Sequence, residues 1–237
     1  MSSVEERPGP EVRVRLLAAA RRTPASRPGA WRRRVLGAVG FAVVWILAMA
    51  VVVRARSDWG ELPSGPLVAT FAVLLAVACA AAGVGLTRGR AMAGPPTERL
   101  IPTVALGLGV LLGLVLFIDA GGPATRVFTG AALWLRSVPC ALMVVAVGLP
   151  LVGAALVPFA GLTLGRPGLT GACVGLAAAT LAHALVRFHC AVGGAGHALL
   201  GHLLAGIPLM LLGAWFSRAR VVERLLARFG AVSEEKT

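Results

Sequence analysis

Long apolar segments constrain this chain more strongly than any other feature. Six segments approach or exceed the length of about 20 mostly apolar residues that a helix needs to cross a bilayer. They are residues 35–53, 66–86, 100–119, 137–160, 169–187 and 194–216. Hydrophobic residues make up 57% of the chain and charged residues 14%, which is too few charges to cover a soluble domain. The sequence therefore predicts an all-α membrane protein, a polytopic bundle of six transmembrane helices.

The segments divide the chain into three parts. Residues 1–34 form a basic N-terminal tail, residues 35–216 the transmembrane domain and residues 217–237 a C-terminal tail. Pro139, Pro150 and Pro158 all lie in the fourth segment. Because proline removes a helical hydrogen bond and crowds the preceding turn, we expect a kink or a break in that helix.

The positive charges predict the orientation in the membrane. Most of the 23 lysines and arginines lie in the two tails and in the second and fourth breaks between segments. The opposite side carries only Arg54, Arg56, Arg126, Arg136 and Arg187. The positive-inside rule then predicts a bacterial inner-membrane protein with both termini in the cytoplasm. The net charge of +13 would face the anionic lipids of the inner leaflet rather than nucleic acid, because aromatic residues do not alternate with the arginines.

Ionisable residues inside a membrane usually mark function, and the first four segments contain only Asp119, at the edge of the third. The sequence has no paired carboxylates, no H-E-x-x-H motif and no G-x-S-x-G motif. Their absence argues against an enzyme. Two glycine pairs, Gly109 with Gly113 and Gly171 with Gly175, have the spacing that lets helices approach closely. They fit packing within one bundle or a dimer seam, so the oligomeric state stays open.

Histidines and cysteines cluster around the last two segments. All four histidines, His183, His189, His197 and His202, lie within twenty residues, and Cys190 lies among them. With the predicted orientation, Cys190 and Cys140 share the periplasmic side, where disulfides persist. We interpret Cys79 and Cys173 as packing residues.

Three interpretations of this cluster remain open. Cys140 and Cys190 could form a disulfide or redox pair. A transient metal ion could bind to thiolate and imidazole ligands, for which the candidates are His189, Cys190, His197 and His202. The side chains could also simply form hydrogen bonds between helices. His197 and His202 are about 140° apart on a regular helix, so a shared ion requires a distorted helix. We expect His183 and Arg187 to extend to the outer interface.

Both tails carry helical patterns. Apolar residues at helical spacing with arginines between them predict a short basic helix in the N-terminal tail, either a topological anchor or a docking segment for a cytoplasmic protein. The docking candidates are Arg13, Arg15, Leu16, Leu17, Arg21 and Arg22. The C-terminal tail predicts an amphipathic helix at residues 221–229, lying on the inner leaflet or in a partner's groove.

Several short motifs together resemble one family. They are Pro139-Cys140-Ala141-Leu142, Leu149-Pro150, Arg166-Pro167-Gly168-Leu169-Thr170-Gly171-Ala172, Gly175, Phe188-His189-Cys190, His197 and Gly201-His202, with a looser match in residues 16–22 and Arg32-Arg33-Arg34. Their order and spacing are similar to the negative-regulator-of-sigma-F (NrsF-like) family of six-helix membrane anti-sigma factors. One departure is Ala191, where members often have proline after the second cysteine.

The resemblance implies an inner-membrane protein that sequesters an extracytoplasmic-function sigma factor. Cys140 and Cys190 would correspond to paired cysteines that sense oxidants or heavy metals, so that a periplasmic signal releases the partner. No resident cofactor and no nucleic-acid partner are expected. The alternative hypothesis is a small transporter or permease that handles metal ions or protons through its histidines.

Overall fold

The computed structural model describes residues 28–53, 64–86, 97–115, 129–159, 164, 166–190, 192 and 194–219. The elements of this part are helices: α1 (Pro28–Val52), α2 (Ser64–Gly85), α3 (Thr97–Gly113), α4 (Gly130–Leu156), α5 (Pro167–His189) and α6 (Ala195–Ala219). All of them except α3 are long and apolar enough to cross a membrane. The all-α prediction is confirmed, and six helices match the six apolar segments. The predicted third span continues past Val115, outside the described residues.

The surface of the bundle is apolar, as a bilayer requires. Large hydrophobic side chains such as Val44, Val51, Leu106, Leu135 and Leu211 are at least 65% exposed. A soluble protein would cover such a surface with polar groups. The core lies between α4, α5 and α6, where Val144, Val147 and Leu151 pack against residues of α5 and against Leu209.

Helix α5 is the centre of the bundle. It has its most extensive contact with α6 and also packs against α2, α3 and α4. Its glycines explain the close contact with α6, because a Cβ atom on Gly171 would overlap the Gly213 carbonyl and the Ser217 hydroxyl. A Cβ on Gly175 would lie 2.5 Å from the Leu209 carbonyl oxygen. The Gly171 and Gly175 pair therefore serves packing within one bundle.

The second glycine pair behaves differently. A Cβ atom on Gly109 or on Gly113 would meet nothing within 4 Å among the described residues. The same spacing therefore marks a close helix contact in α5 but not in α3.

Helix α4 runs through two prolines without interruption. Pro139 and Pro150 lie inside Gly130–Leu156, and the helix tightens to a 3-10 turn over Val157–Phe159, which contains Pro158. The expected break is therefore found only at Pro158. The indole N–H of Trp45 donates a hydrogen bond of 3.0 Å to the Val147 carbonyl and fastens α1 to α4.

The termini of the chain lie outside the described residues. The predicted docking residues Arg13, Arg15, Leu16, Leu17, Arg21 and Arg22, and the predicted amphipathic helix at residues 221–229, both fall there. At the edge of the described part, the Trp31 ring contacts Phe159 with 5.2 Å between ring centroids.

Candidate cysteine and histidine site

Two cysteines that are fifty residues apart in sequence meet at one end of the bundle. Cys140 is the eleventh residue of α4, about three turns from its start, and Cys190 directly follows α5. Their Sγ atoms are 3.5 Å apart and both thiols are free. A disulfide bond is about 2.05 Å long, so the two sulfur atoms are not bonded in this structure and would have to approach by about 1.5 Å to form one. The structure thus places the two predicted redox residues side by side.

His197 lies between Cys190 and Ser137 of α4. Its Nε2 atom lies 3.2 Å from Cys190 Sγ, and its Nδ1 atom lies 3.1 Å from Ser137 Oγ. Both Ser137 and His197 are buried. This role of Ser137 was not predicted from the sequence. Its position three residues before Cys140 places it on the same helical face and could have indicated it.

A π-helical turn brings His202 to the same place. Residues Ala198–Leu203 wind as a π-helix inside α6, with each hydrogen bond spanning five residues instead of four. Residues five apart then lie nearly above one another, and the His197 and His202 ring centroids are 5.3 Å apart. The two rings are therefore not about 140° apart, as they would be on a regular helix, because the π turn lies between His197 and Leu204.

Gly201 allows the π turn to pack tightly against α4. A Cβ atom there would lie 3.2 Å from the Ser137 carbonyl oxygen and 3.3 Å from Cys140 Cβ. Any larger residue would push the start of α6 away from the cysteine. Glycine at this position therefore holds the histidines close to the thiols.

Four side chains form a group that can hold a metal ion. One ligand atom each from Cys140, Cys190, His197 and His202 lies within 4.8 Å of all the others. Two thiolates and two imidazoles are a common ligand set for Zn²⁺, and bonds of about 2.0–2.3 Å bring such atoms within about 4 Å of each other. Because a tetrahedron with such bonds has ligand atoms about 3.3–3.8 Å apart, separations of up to 4.8 Å would have to shrink by about 1–1.5 Å to form the complete coordination shell.

The buried imidazole of His202 supports this interpretation. Neither of its ring nitrogens has a hydrogen-bond partner among the described residues. Buried polar atoms are rarely unsatisfied, so such an atom often marks the place of an ion or a water molecule. His189, which the sequence analysis included among the metal candidates, lies outside the group, and Cys140 takes its place.

His183 extends the polar cluster into the bundle. It is only 4% exposed, and its ring centroid lies 5.0 Å from that of His202. The expectation that His183 extends to the outer interface is wrong, since the side chain points at the neighbouring helix. Three histidines thus form a continuous row of rings, His197, His202 and His183.

The surroundings of Cys190 favour its thiolate form. A hydrogen bond from Cys140 lowers the pKa of the Cys190 thiol below its ordinary value, and the His197 imidazole acts in the same direction against the effect of burial. The thiolate is the form that attacks disulfides and binds metal ions. Among the described residues, Cys190 is the member of the pair whose Sγ atom lies within hydrogen-bond distance of a histidine.

The other two cysteines lie away from this site. Cys173 is buried, with its thiol 3.8 Å from the Leu100 carbonyl oxygen, and is a packing residue as expected. Cys79 is exposed on the side of α2, which does not fit the expectation that it is a packing residue.

Comparisons with known proteins identify the family. No curated protein and no solved structure matches the chain. The family model described as negative regulator of sigma F (NrsF) matches residues 17–221, which include every helix described above. The chain therefore belongs to the NrsF family, a family of negative regulators of a sigma factor rather than of known enzymes.

Proposed function

We propose that this protein is a bacterial inner-membrane anti-sigma factor whose signal is read by Cys140 and Cys190. It holds an extracytoplasmic-function sigma factor on the cytoplasmic side. An oxidant or a soft heavy-metal ion reaching the thiols from the periplasm causes its release. Family membership supports the regulatory role. The observation that carries the sensing role is the 3.5 Å contact between the two thiols, with a histidine beside them.

The proposed orientation rests on the distribution of arginines. Six helices bring both ends of a chain to the same side, and the positive-inside rule assigns that side to the cytoplasm. Cys190 follows the C-terminal end of α5, and Cys140, in the first half of α4, lies beside it. With this orientation both thiols would be nearer to the oxidising compartment. The signal and the partner would then be on different sides of one membrane.

The site joins α4, the end of α5 and the start of α6, which supports a mechanical link to the partner. Forming the disulfide would shorten the distance between the Sγ atoms from 3.5 Å to about 2.05 Å. A metal ion would instead draw in His197 and His202, which lie at the start of α6. Helix α6 continues to Ala219 and leads into the C-terminal tail.

The energy required for release is small. A tenfold loss of affinity for the sigma factor corresponds to about 1.4 kcal/mol. A change in helix packing of that size is well within the effect of one new covalent or metal–ligand bond. Either tail could hold the partner, and the predicted docking residues of the N-terminal tail remain part of this proposal. The transporter alternative has no comparable support, because the family is a regulatory one.

Transcription from a promoter of the cognate sigma factor tests the proposal in cells. Wild-type protein should repress the reporter, and an oxidant or Cd²⁺ should restore transcription. The paired variant C140S/C190S should repress constitutively, whereas C79S/C173S, the matched control, should respond like the wild type. A C140S/C190S protein that still responds fully would contradict the sensing role. Loss of repression itself in the absence of any signal would indicate only that the variant is not folded.

Sidedness is tested separately with a membrane-impermeant maleimide on intact spheroplasts. Cys190 should be labelled from outside, and cysteines introduced at the N-terminus should be labelled only after lysis. Labelling of Cys190 only after lysis would overturn the proposed topology.

A further inference from the structure

A cavity of about 420 Å³ lies between α1 and α2, away from the cysteine and histidine site. Its walls are the part of α1 from Ala38 to Leu47 and the part of α2 from Leu75 to Ala82, with Leu86 just beyond the end of α2. Residues of α4 and α5 form its floor, among them Leu151 and Ala178. Helix α1 packs mainly on α4, and α2 packs mainly on α5, so the cavity is the space that the first two helices leave between them.

The lining of the cavity excludes water and favours a hydrocarbon. Every lining side chain is apolar except for the thiol of Cys79. A buried water molecule needs two to four polar partners, which this lining does not offer. The rim residues Val39, Val43, Leu47 and Leu75 are between 48% and 61% exposed, so the cavity opens to the outside of the bundle. At these positions of α1 and α2 the outside is the interior of the bilayer.

The dimensions of the cavity accommodate an extended hydrocarbon chain. From Ala38 to Leu47 helix α1 rises about 14 Å, which gives the length of the cavity wall. Carbon atoms in contact are about 4 Å apart, so a cavity of about 420 Å³ along that wall is wide enough for an acyl chain.

One end of the cavity carries a strong positive charge. Arg32, Arg33 and Arg34 are exposed and lie one to two turns before Ala38 on α1. Arg32 is on the same helical face as the rim residues Val39 and Val43, and Arg33 and Arg34 lie to either side of that face. Guanidinium groups bind phosphate oxygens in pairs, and each basic residue near a membrane surface attracts anionic lipids by about 1 kcal/mol. The cavity and the arginines together match the two halves of an anionic phospholipid.

We propose that this cleft is a specific site for one anionic phospholipid, with an acyl chain between α1 and α2 and its phosphate on Arg32, where Arg33 and Arg34 add to the positive charge. The lipid would fill the space beside α1, whose described side chains are mostly exposed, and would fasten that helix to the rest of the bundle. This site is independent of the sensing role proposed above.

Native mass spectrometry of the full-length protein in mild detergent tests the site. Phosphatidylglycerol should bind at least tenfold more tightly than phosphatidylcholine. Ala42→Phe, which fills the cleft, should abolish the tight phosphatidylglycerol adduct. Val44→Phe is the matched control on the same helix, because Val44 is 67% exposed and does not line the cleft; it should bind like the wild type. Replacing Arg32, Arg33 and Arg34 by glutamine should make the two lipids bind equally.

Labelling of the wild-type protein gives a second measurement that does not depend on any variant folding. Cys79 lines the cleft, so added phosphatidylglycerol should slow its alkylation by N-ethylmaleimide several-fold more than phosphatidylcholine does. Peptide mass spectrometry separates it from the buried Cys173. The proposal is overturned if both lipids protect Cys79 equally, if Ala42→Phe keeps the tight adduct, or if a dimer forms in place of the lipid complex.

Discussion

The contact between α5 and α6 gives the sharpest test of the bundle. Replacing Gly171 by alanine puts a methyl group where the Gly213 carbonyl of α6 lies. Replacing Gly175 by alanine puts it 2.5 Å from the Leu209 carbonyl oxygen and 2.6 Å from Met210 Cα. Normal contact distances are about 3.5–4.0 Å, so the helices must separate by about 1 Å. Backbone atoms cannot rotate aside as a side chain would.

The expected cost follows from these distances. Overpacking of this kind destabilises by about 1–3 kcal/mol, and alanine recovers up to about 1 kcal/mol through its higher helix propensity. Each substitution should therefore lower the free energy of unfolding by about 1–2 kcal/mol. Gly109→Ala and Gly113→Ala are the matched controls, because a Cβ atom at either position lies more than 4 Å from every described neighbour. They should leave stability unchanged or raise it slightly.

Unfolding in mixed micelles of dodecyl maltoside and sodium dodecyl sulfate, followed by circular dichroism, measures these differences. The two α5 variants should unfold at a lower detergent fraction than the wild type, and the two α3 variants should not. If all four glycine variants unfolded together, the close approach of α5 and α6 would not exist in the folded protein.

Three further predictions concern single side chains. Trp45→Phe removes the hydrogen bond to Val147 and should cost about 1 kcal/mol in the same unfolding assay, whereas Trp215→Phe, at a 56% exposed position, should cost nothing measurable. Ser137→Ala frees the His197 ring and should slow diamide-induced formation of the Cys140–Cys190 disulfide several-fold, scored by gel shift; an unchanged rate would show that Ser137 does not orient the ring. His202→Ala should weaken Co²⁺ or Zn²⁺ binding at least tenfold, read from the thiolate–Co²⁺ absorption band before and after a chelator, while His189→Ala should bind like the wild type because His189 is outside the ligand group.

Hydropathy predicted the positions of residues along the helix axes well, but it did not predict which face of each helix contacts a neighbour. The six apolar segments and the placement of Cys140 and Cys190 at one end both follow from counting residues along the chain. Which helices become neighbours is decided by side-chain volume. The two glycine pairs show this directly. A Cβ atom on Gly171 would overlap the backbone of α6, whereas a Cβ atom on Gly109 would have no described atom within 4 Å.

The site differed from expectation where the backbone departs from regular geometry. A π turn at Ala198–Leu203 leaves no mark in a pattern of apolar and polar residues, so the sequence predicted only that an ion shared by His197 and His202 would need a distorted helix. The burial of His183 was missed for a related reason. A histidine four residues from an arginine resembles an interfacial pair, and only the packing of α5 against α6 shows that the ring is enclosed.

The π turn in α6 also sets the number of residues that the chain needs between Cys190 and Gly213. A regular helix turns by about 100° per residue, so losing or gaining one residue in Ala198–Leu203 would swing the whole of Leu204–Ala219 through that angle. Gly213 would then lose its contact with Gly171 of α5, even though it lies far from the thiols. Insertions and deletions in this stretch should therefore be as damaging as loss of the cysteines themselves.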